Sequence, residues 1–327
     1  MIRRQFIMLL GAAASWPVAV RAQQNERMRR VGVLVGGAED DPDIKAWLEG
    51  FRQGLESLGW MEDRNVRIEY RFAGGMIDRF QALARELIAL QPDVILSQGT
   101  AITAALQRES RAVPIVFVTV SDPIGSGFIA SLARPGSNIT GFLMYEGTIA
   151  GKWLAMLKEV APLLARVILL ASPTTAYDYY VRAATAAASS LALELVPSRI
   201  ENAADIERAI ESLARPPNSG LLLPPDNTTI VHRDLIIALA ARHRLPAVYP
   251  TRIFVAAGGL MSYGINEVEM YRQSASYIDR ILKGEKPAVL PVQAPTKYKT
   301  VVNVKTAKGL GLTVPPGLLV AADEVIE

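Results

Sequence analysis

Cysteine is absent from all 327 residues. That excludes disulfides, thiol nucleophiles, iron–sulfur clusters and cysteine-ligated zinc. Histidine is nearly absent: His232 and His243 are the only two, eleven residues apart, which argues against a polyhistidine metal site. Neither sign of charge is in real excess. The chain has 35 basic and 32 acidic residues, but Arg3, Arg4 and Arg21 fall within an N-terminal stretch that holds no acid, and the remainder is balanced. The electrostatic footprint of a nucleic-acid binder is therefore missing. So are the common catalytic signatures: no G-x-S-x-G elbow, no H-E-x-x-H helix and no G-x-x-x-x-G-K-[ST] loop occurs. Gly32, Gly36 and Gly37 lack the spacing of a dinucleotide fingerprint. The acidic run Glu39–Asp43 lacks the spaced ligands and central glycine of a calcium loop, and it suits the start of a helix. No catalytic residue, metal ligand or cofactor is expected.

What is present begins with an address. A short basic start precedes the apolar stretch Phe6–Val20, which is shorter than the ~20 residues a membrane span needs. It ends in Val20-Arg21-Ala22, the small-residue layout of a secretory signal cleaved between Ala22 and Gln23. Arg3-Arg4 followed by Gln5-Phe6-Ile7 resembles a twin-arginine signal. A serine before the pair and a lysine after it are missing, so the general secretory route also remains open. Without cysteine there is no lipid attachment site. A periplasmic chain starting at Gln23 is expected, and freedom from cysteine suits that oxidising compartment.

Beyond residue 30, short apolar runs alternate with amphipathic stretches. Val31–Val35, Asp93–Ser97 and Ile115–Val120 read as buried strands. Asn65–Phe72 alternates like a half-exposed one. Between them, Ile44, Trp47, Leu48, Phe51, Leu55 and Leu58 recur at helical spacing, and Gly59 stops that helix. The pattern restarts after residue 141, with strands at Arg166–Ala171, Leu193–Pro197, Gly220–Leu223 and Pro246–Tyr249. Helices fall at Gly147–Val160, Tyr177–Ser190, Ala203–Leu213 and Thr229–Arg242. His232 lies in the last of these and His243 directly follows it, both read as surface or capping residues. A strand at Gly259–Tyr263, a helix at Glu267–Leu282 and a strand at Tyr298–Val304 complete the reading. Two α/β units in tandem, each with a parallel sheet flanked by helices, are the implied class.

Ligands of open α/β sheets bind beyond the carboxyl ends of the strands. In the first unit those ends are Gly37, then Gln98-Gly99-Thr100-Ala101, then Ser121-Asp122-Pro123. In the second they are the segment holding Thr175 and the pair Asp226-Asn227. Gly99–Ala101 opens a helix, whose free N–H groups suit a carboxylate. Asp122 and Asp226 suit an ammonium group, and Tyr145, Tyr177 and Tyr179 suit an apolar or aromatic ligand part. Thr100, Ser121 and Asp226 are equally good helix caps.

The chain resembles the ABC-transporter substrate-binding family that includes tryptophan- and phenylalanine-binding proteins, within the type I periplasmic-binding fold. The resemblance rests on Gly54-Leu55-Glu56-Ser57-Leu58-Gly59-Trp60, on Pro114–Phe117 with Ser121-Asp122-Pro123, and on Ser131–Gly136 with Asn138–Gly141. Gly151-Lys152-Trp153-Leu154, Gly258–Gly264 and Lys305-Thr306-Ala307 extend it. It implies two Rossmann-like lobes joined by three crossing segments as a hinge. The expected division is 23–141 plus about 252–285, and 142–251 plus about 286–327, with hinge residues near Gly141 and Tyr249–Arg252. It also implies a binding protein rather than an enzyme, probing no nucleic acid, monomeric, and partnered by ABC permease subunits with a cytoplasmic ATPase. An amino acid is the first expectation for the ligand. A sensor module presenting a ligand to a receptor is the alternative. An exported enzyme lacks the motifs it would need, and a transcription regulator on the same lobes lacks an N-terminal helix-turn-helix.

Overall fold

The computed structural model describes residues 28–173, 176–213 and 217–327. The segment expected to be a signal, with its Ala22–Gln23 junction, and Thr175 lie outside them.

The first sheet is built from β1 (Arg29–Val35), β2 (Val66–Phe72), β3 (Val94–Gln98), β4 (Ile115–Val120) and β5 (Ile139–Leu143), in the order β2-β1-β3-β4-β5 and parallel throughout. Val94–Ser97 and Ile115–Val118 are buried, as expected of strands covered on both faces. Helices α1 (Pro42–Ser57), α2 (Phe80–Ala89) and α3 (Gly99–Glu109) connect them. The acidic run before α1 acts as anticipated: Asp41 Oδ1 accepts from the N–H groups of Asp43 and Ile44.

The second sheet has the order β12-β11-β10-β9-β8-β6-β7. Its strands are β6 (Arg166–Ala171), β7 (Glu194–Arg199), β8 (Ser219–Leu222), β9 (Ala247–Tyr249), β10 (Met261–Gly264), β11 (Lys299–Asn303) and β12 (Glu324–Ile326). All its pairings are parallel except β10 with β11. Helices α4 (Ile149–Val160), α5 (Tyr177–Ser190), α6 (Ala203–Leu213), α7 (Asn227–Val231), α8 (Arg233–Arg242) and α9 (Arg252–Ala256) belong to this half. The single helix expected over Thr229–Arg242 is two, broken at His232, which ends α7 and begins α8.

Residues 252–285 divide between the lobes. α9 and β10 join the second sheet, and α10 (Glu267–Leu282) packs back on α1 of the first. The close approach is made possible by two glycines one helical turn apart. A Cβ on Gly50 would lie 2.7 Å from the Val268 carbonyl oxygen, and one on Gly54 would lie 2.5 Å from that of Arg272. After α10 the chain touches the first sheet again, where Phe142 bridges Gln293. It then returns to the second for β11, α11 (Val304–Gly309), α12 (Pro316–Ala321) and β12. The described chain thus crosses three times, after Leu143, after Gly264 and after Gln293. Gly141 is not in a crossing: it lies inside β5, opposite Phe117. Tyr249 closes β9, inside the second lobe.

One residue ties the three crossings together. Tyr145, buried in the first, donates its hydroxyl hydrogen to the Pro250 carbonyl and accepts from the Ile265 N–H at 3.2 Å in the second. Its ring stacks on Tyr298 of the third and meets Trp153 edge-on. Tyr145→Phe keeps the ring and leaves two buried backbone groups without their partner. We expect a loss of about 1–3 kcal/mol in urea unfolding; a loss below about 0.5 kcal/mol, the range of ordinary surface changes, would show that the hydroxyl holds nothing.

Candidate ligand-binding site

The strand ends of the two sheets face each other across a cleft with two adjoining cavities, of about 70 Å³ and about 90 Å³. Trp47, Ile77, Gln98, Asn227, Ile230 and Ile253 line both. Trp47 and Ile77 come from the first lobe, and Ile230 and Ile253 from the second, so the apolar wall is assembled only when the lobes meet.

The first cavity, of about 70 Å³, is polar in part by construction. Gly99, Thr100 and Ala101 form the first turn of α3, and no side chain caps it. The first N–H groups of a helix have no intrahelical acceptor, and its dipole favours a negative charge there. The Gln98 side chain does not supply that charge; its Oε1 accepts from the Gly36 N–H at 2.8 Å instead. Thr251, only 3% exposed, also lines this cavity, and among the described residues its buried hydroxyl has no hydrogen-bond partner. Thr119 lines it from a β4 that shifts register after Phe117, and its φ of +58° is strained for a β-branched residue. A carboxylate seated here would meet N–H and O–H donors.

Two acids line the same cavity, Asp226 and Glu267. Asp226 is 3% exposed and engaged: Oδ2 accepts from Ser172 N at 2.9 Å and Ser172 Oγ at 2.6 Å, and Oδ1 accepts from Thr229 N at 3.0 Å, which caps α7. Glu267, the first residue of α10, points its carboxyl among protein groups. Loss of solvation, with the Asp43 charge adding to it, pushes that carboxyl up to about 7. Asp43, on the wall of the second cavity, is itself raised by burial and by Asp41, against the opposing pull of Arg233 and Arg252.

The residues singled out from sequence separate into groups. Gln98, Gly99, Thr100, Ala101, Ser121, Asp226 and Asn227 all line the first cavity, and Gly37 lines the second. Ser121 also accepts from the Tyr180 hydroxyl at 2.8 Å, a contact between the lobes. Asp122 and Tyr177 line instead a neighbouring depression between the lobes, of about 520 Å³, which has Tyr179 on its wall and shares Thr100 with the first cavity. There Asp122 Oδ1 accepts from the Gly125 N–H and Tyr177 lies under the Arg199 guanidinium. Tyr145 is buried behind the cleft in the crossing cluster and lines neither cavity. Thr175 is outside the described residues. Sequence reasoning missed Trp47, Ile77, Thr119, Met144, Thr251, Ile253 and Glu267. Trp47 and Glu267 were visible only as members of helices; nothing local marks Thr119 or Thr251.

Two α/β lobes whose strand ends enclose a small mixed polar and apolar cavity define a two-lobed small-molecule binding protein of the type I periplasmic-binding fold. The chain belongs to the ABC transporter substrate binding protein family, which matches residues 32–326. That is a family of binding proteins, not of enzymes. A tyrosine-binding protein of Clostridioides difficile (strain R20291) is 22% identical over 299 residues, covering 89% of this chain and 84% of the relative. Among solved structures, an ABC domain from Streptococcus pneumonia in complex with L-Trp is 24% identical, with a TM-score of 0.85 over 92% of this chain and 100% of the other. A ligand-free, open substrate binding protein with adhesive properties from Clostridium difficile is 23% identical, with a TM-score of 0.68 over 91% and 99%.

Proposed function

We propose that this chain is the extracytoplasmic solute-binding component of an ABC importer, and that its ligand is a single amino acid with an aromatic or branched side chain. The observation that carries the reading is that one interlobe cavity is lined both by an uncapped helix N-terminus and by apolar side chains including Trp47. The carboxylate is taken by the Gly99–Ala101 N–H groups, Thr100 and Thr251. The side chain lies against Trp47, Ile77, Ile230 and Ile253. The naming of one relative for tyrosine and the L-Trp held by another support the same ligand class.

Capture works by differential affinity. An open form exposes each half-site, and a ligand that touches both lobes favours the closed form because only there are all contacts made. Ser121 and Tyr180 meet across the lobes and stabilise closure. The closed monomer then docks on a membrane permease driven by a cytoplasmic ATPase, and no bond in the ligand changes. Export by the N-terminal signal, with cleavage at Ala22–Gln23, brings the chain to that permease. Among the described residues no helix is long and apolar enough to cross a membrane, which is consistent with release from the signal.

Thermal melting of the purified protein, unfolded and refolded to strip carried-over ligand, tests the assignment. A ligand at 100 times its Kd adds about 2.7 kcal/mol, a shift of about 5 °C or more. We expect such a shift with aromatic or branched amino acids near ~1 mM, and none with sugars or nucleosides. A shift with sugars alone would replace the amino-acid reading.

A further inference from the structure

We infer that Glu267, rather than Asp226, receives the ammonium group of the ligand, and that this contact makes binding strengthen as the pH rises from 6 to 8. The inference rests on the amino-acid reading above and names the second half of its recognition.

Two acids line the first cavity, Asp226 and Glu267. Asp226 looks like the better candidate in sequence, because it ends a strand and opens a helix. Its two oxygens nevertheless accept three hydrogen bonds from Ser172 and Thr229, which hold the end of β6 to the start of α7. Glu267 is spared this work. Asn266 caps α10 through its own side chain, whose Oδ1 accepts from Glu269 N at 3.2 Å. The Glu267 carboxylate interacts with its own backbone N–H and enters no ion pair among the described residues.

The charged surroundings lack a cation. From α1, Asp43 faces Glu267. From the crossing segment the Tyr145 hydroxyl faces it, and from α10 itself the hydroxyl of Tyr271. Asp226 lies on the same cavity wall. Arg233 and Arg252 act on Asp43 rather than on Glu267, and Arg252 is already held by both oxygens of Glu324. Trp47, stacked on Tyr271 with ring centres 5.8 Å apart, adds an aromatic face to the cavity. A carboxylate without a partner beside a second acid and an indole favours an incoming cation. On the wall of the same cavity, the uncapped first turn of α3 favours an anion. A zwitterion satisfies both, and a plain carboxylic acid satisfies one.

The proton linkage follows in sign. Burial holds the Glu267 carboxyl at about 7 in the empty cleft, so a large part of it is protonated at neutral pH. A bound ammonium stabilises the ionised form and lowers that value. Binding therefore releases a proton below about pH 7, and affinity falls as the pH is lowered.

The test is isothermal titration of the refolded protein with L-tryptophan and L-phenylalanine, and with indole-3-propionate and 3-phenylpropionate, which lack only the amino group. Glu267→Gln is expected to weaken binding of the amino acids about 10- to 100-fold, and to change binding of the deaminated acids by less than about threefold. For the wild type, amino-acid affinity is expected to be about tenfold lower at pH 6 than at pH 8, and in Glu267→Gln to be flat. Glu267→Asp, which keeps the charge, should restore part of the pH dependence. Equal losses for both ligand kinds would overturn the inference, as would a pH dependence that survives in the Gln variant, which would point to His232 or His243. Full amino-acid affinity in a folded Glu267→Gln protein would overturn it while leaving the amino-acid reading intact. A wild type that binds none of the four probes sinks both.

Discussion

Gly141→Ala is expected to destabilise the protein by about 3–5 kcal/mol and to abolish ligand binding at concentrations that saturate the wild type. Gly141 sits in β5 against Phe117 of β4, with φ of +152°. A Cβ there would lie 2.0 Å from the Phe117 carbonyl oxygen and 2.6 Å from its nitrogen. Both are backbone atoms of an interior strand held by β3 on its other side, so neither can swing aside as a side chain would. The loss of function has a separate path. β4 shifts register just past Phe117 and carries Thr119 and Ser121 to the cleft. Pushing Phe117 away displaces both, and Ser121 loses its contact with Tyr180 across the lobes. Urea unfolding and ligand titration of the same preparation read the two effects. A variant within about 1 kcal/mol of wild type would show that β4 and β5 can separate freely, contrary to a close-packed interior.

Asp226→Ala is expected to cost about 3–4 kcal/mol, which at this size is roughly 6–12 °C in Tm. The carboxylate is 3% exposed and its three bonds join two loops that are distant in sequence. Truncation removes the acceptor that the Ser172 N–H and hydroxyl share, and uncaps α7. Because α7 carries Asn227 and Ile230 into the cavity, affinity should fall as well, by a similar factor for amino acids and their deaminated analogues. That evenness separates a residue that shapes the wall from one that receives the ammonium. A selective loss for amino acids alone would return the ammonium to Asp226.

Much of the fold was legible because buried parallel strands are continuous apolar runs closed by turn residues. Ile115–Val120 and Arg166–Ala171 announced themselves this way, and the helices Tyr177–Ser190, Ala203–Leu213 and Glu267–Leu282 matched their apolar spacing. β5 did not, because Thr140 and Gly141 interrupt it and its reason for extending is the neighbour Phe117. The break at His232 was hidden because apolar residues keep helical spacing across it. The lobe membership of residues 252–264 was misjudged because it depends on which sheet edge β10 finds. It pairs with β9 and, in the opposite sense, with β11.

The site was half legible for the same physical reason. Strand ends can be read from strands, so Gln98–Ala101, Ser121 and Asp226-Asn227 were found. Trp47 and Glu267 enter the cleft only because Gly50 and Gly54 let α10 lie close on α1, a contact between segments more than 200 residues apart. Tyr145 was misread because a tyrosine beside a strand end looks the same in sequence whether it faces the ligand or, as here, locks the crossings behind it.

The most direct measurement is a crystal structure of the protein with the amino acid that gives the largest thermal shift. We expect the carboxylate within about 3.2 Å of the N–H groups of the first turn of α3. The side chain should lie against Trp47 and the ammonium beside Glu267. Ligand density in the depression of Asp122 and Tyr177, with the cavity of Trp47 and Glu267 holding water alone, would contradict the account.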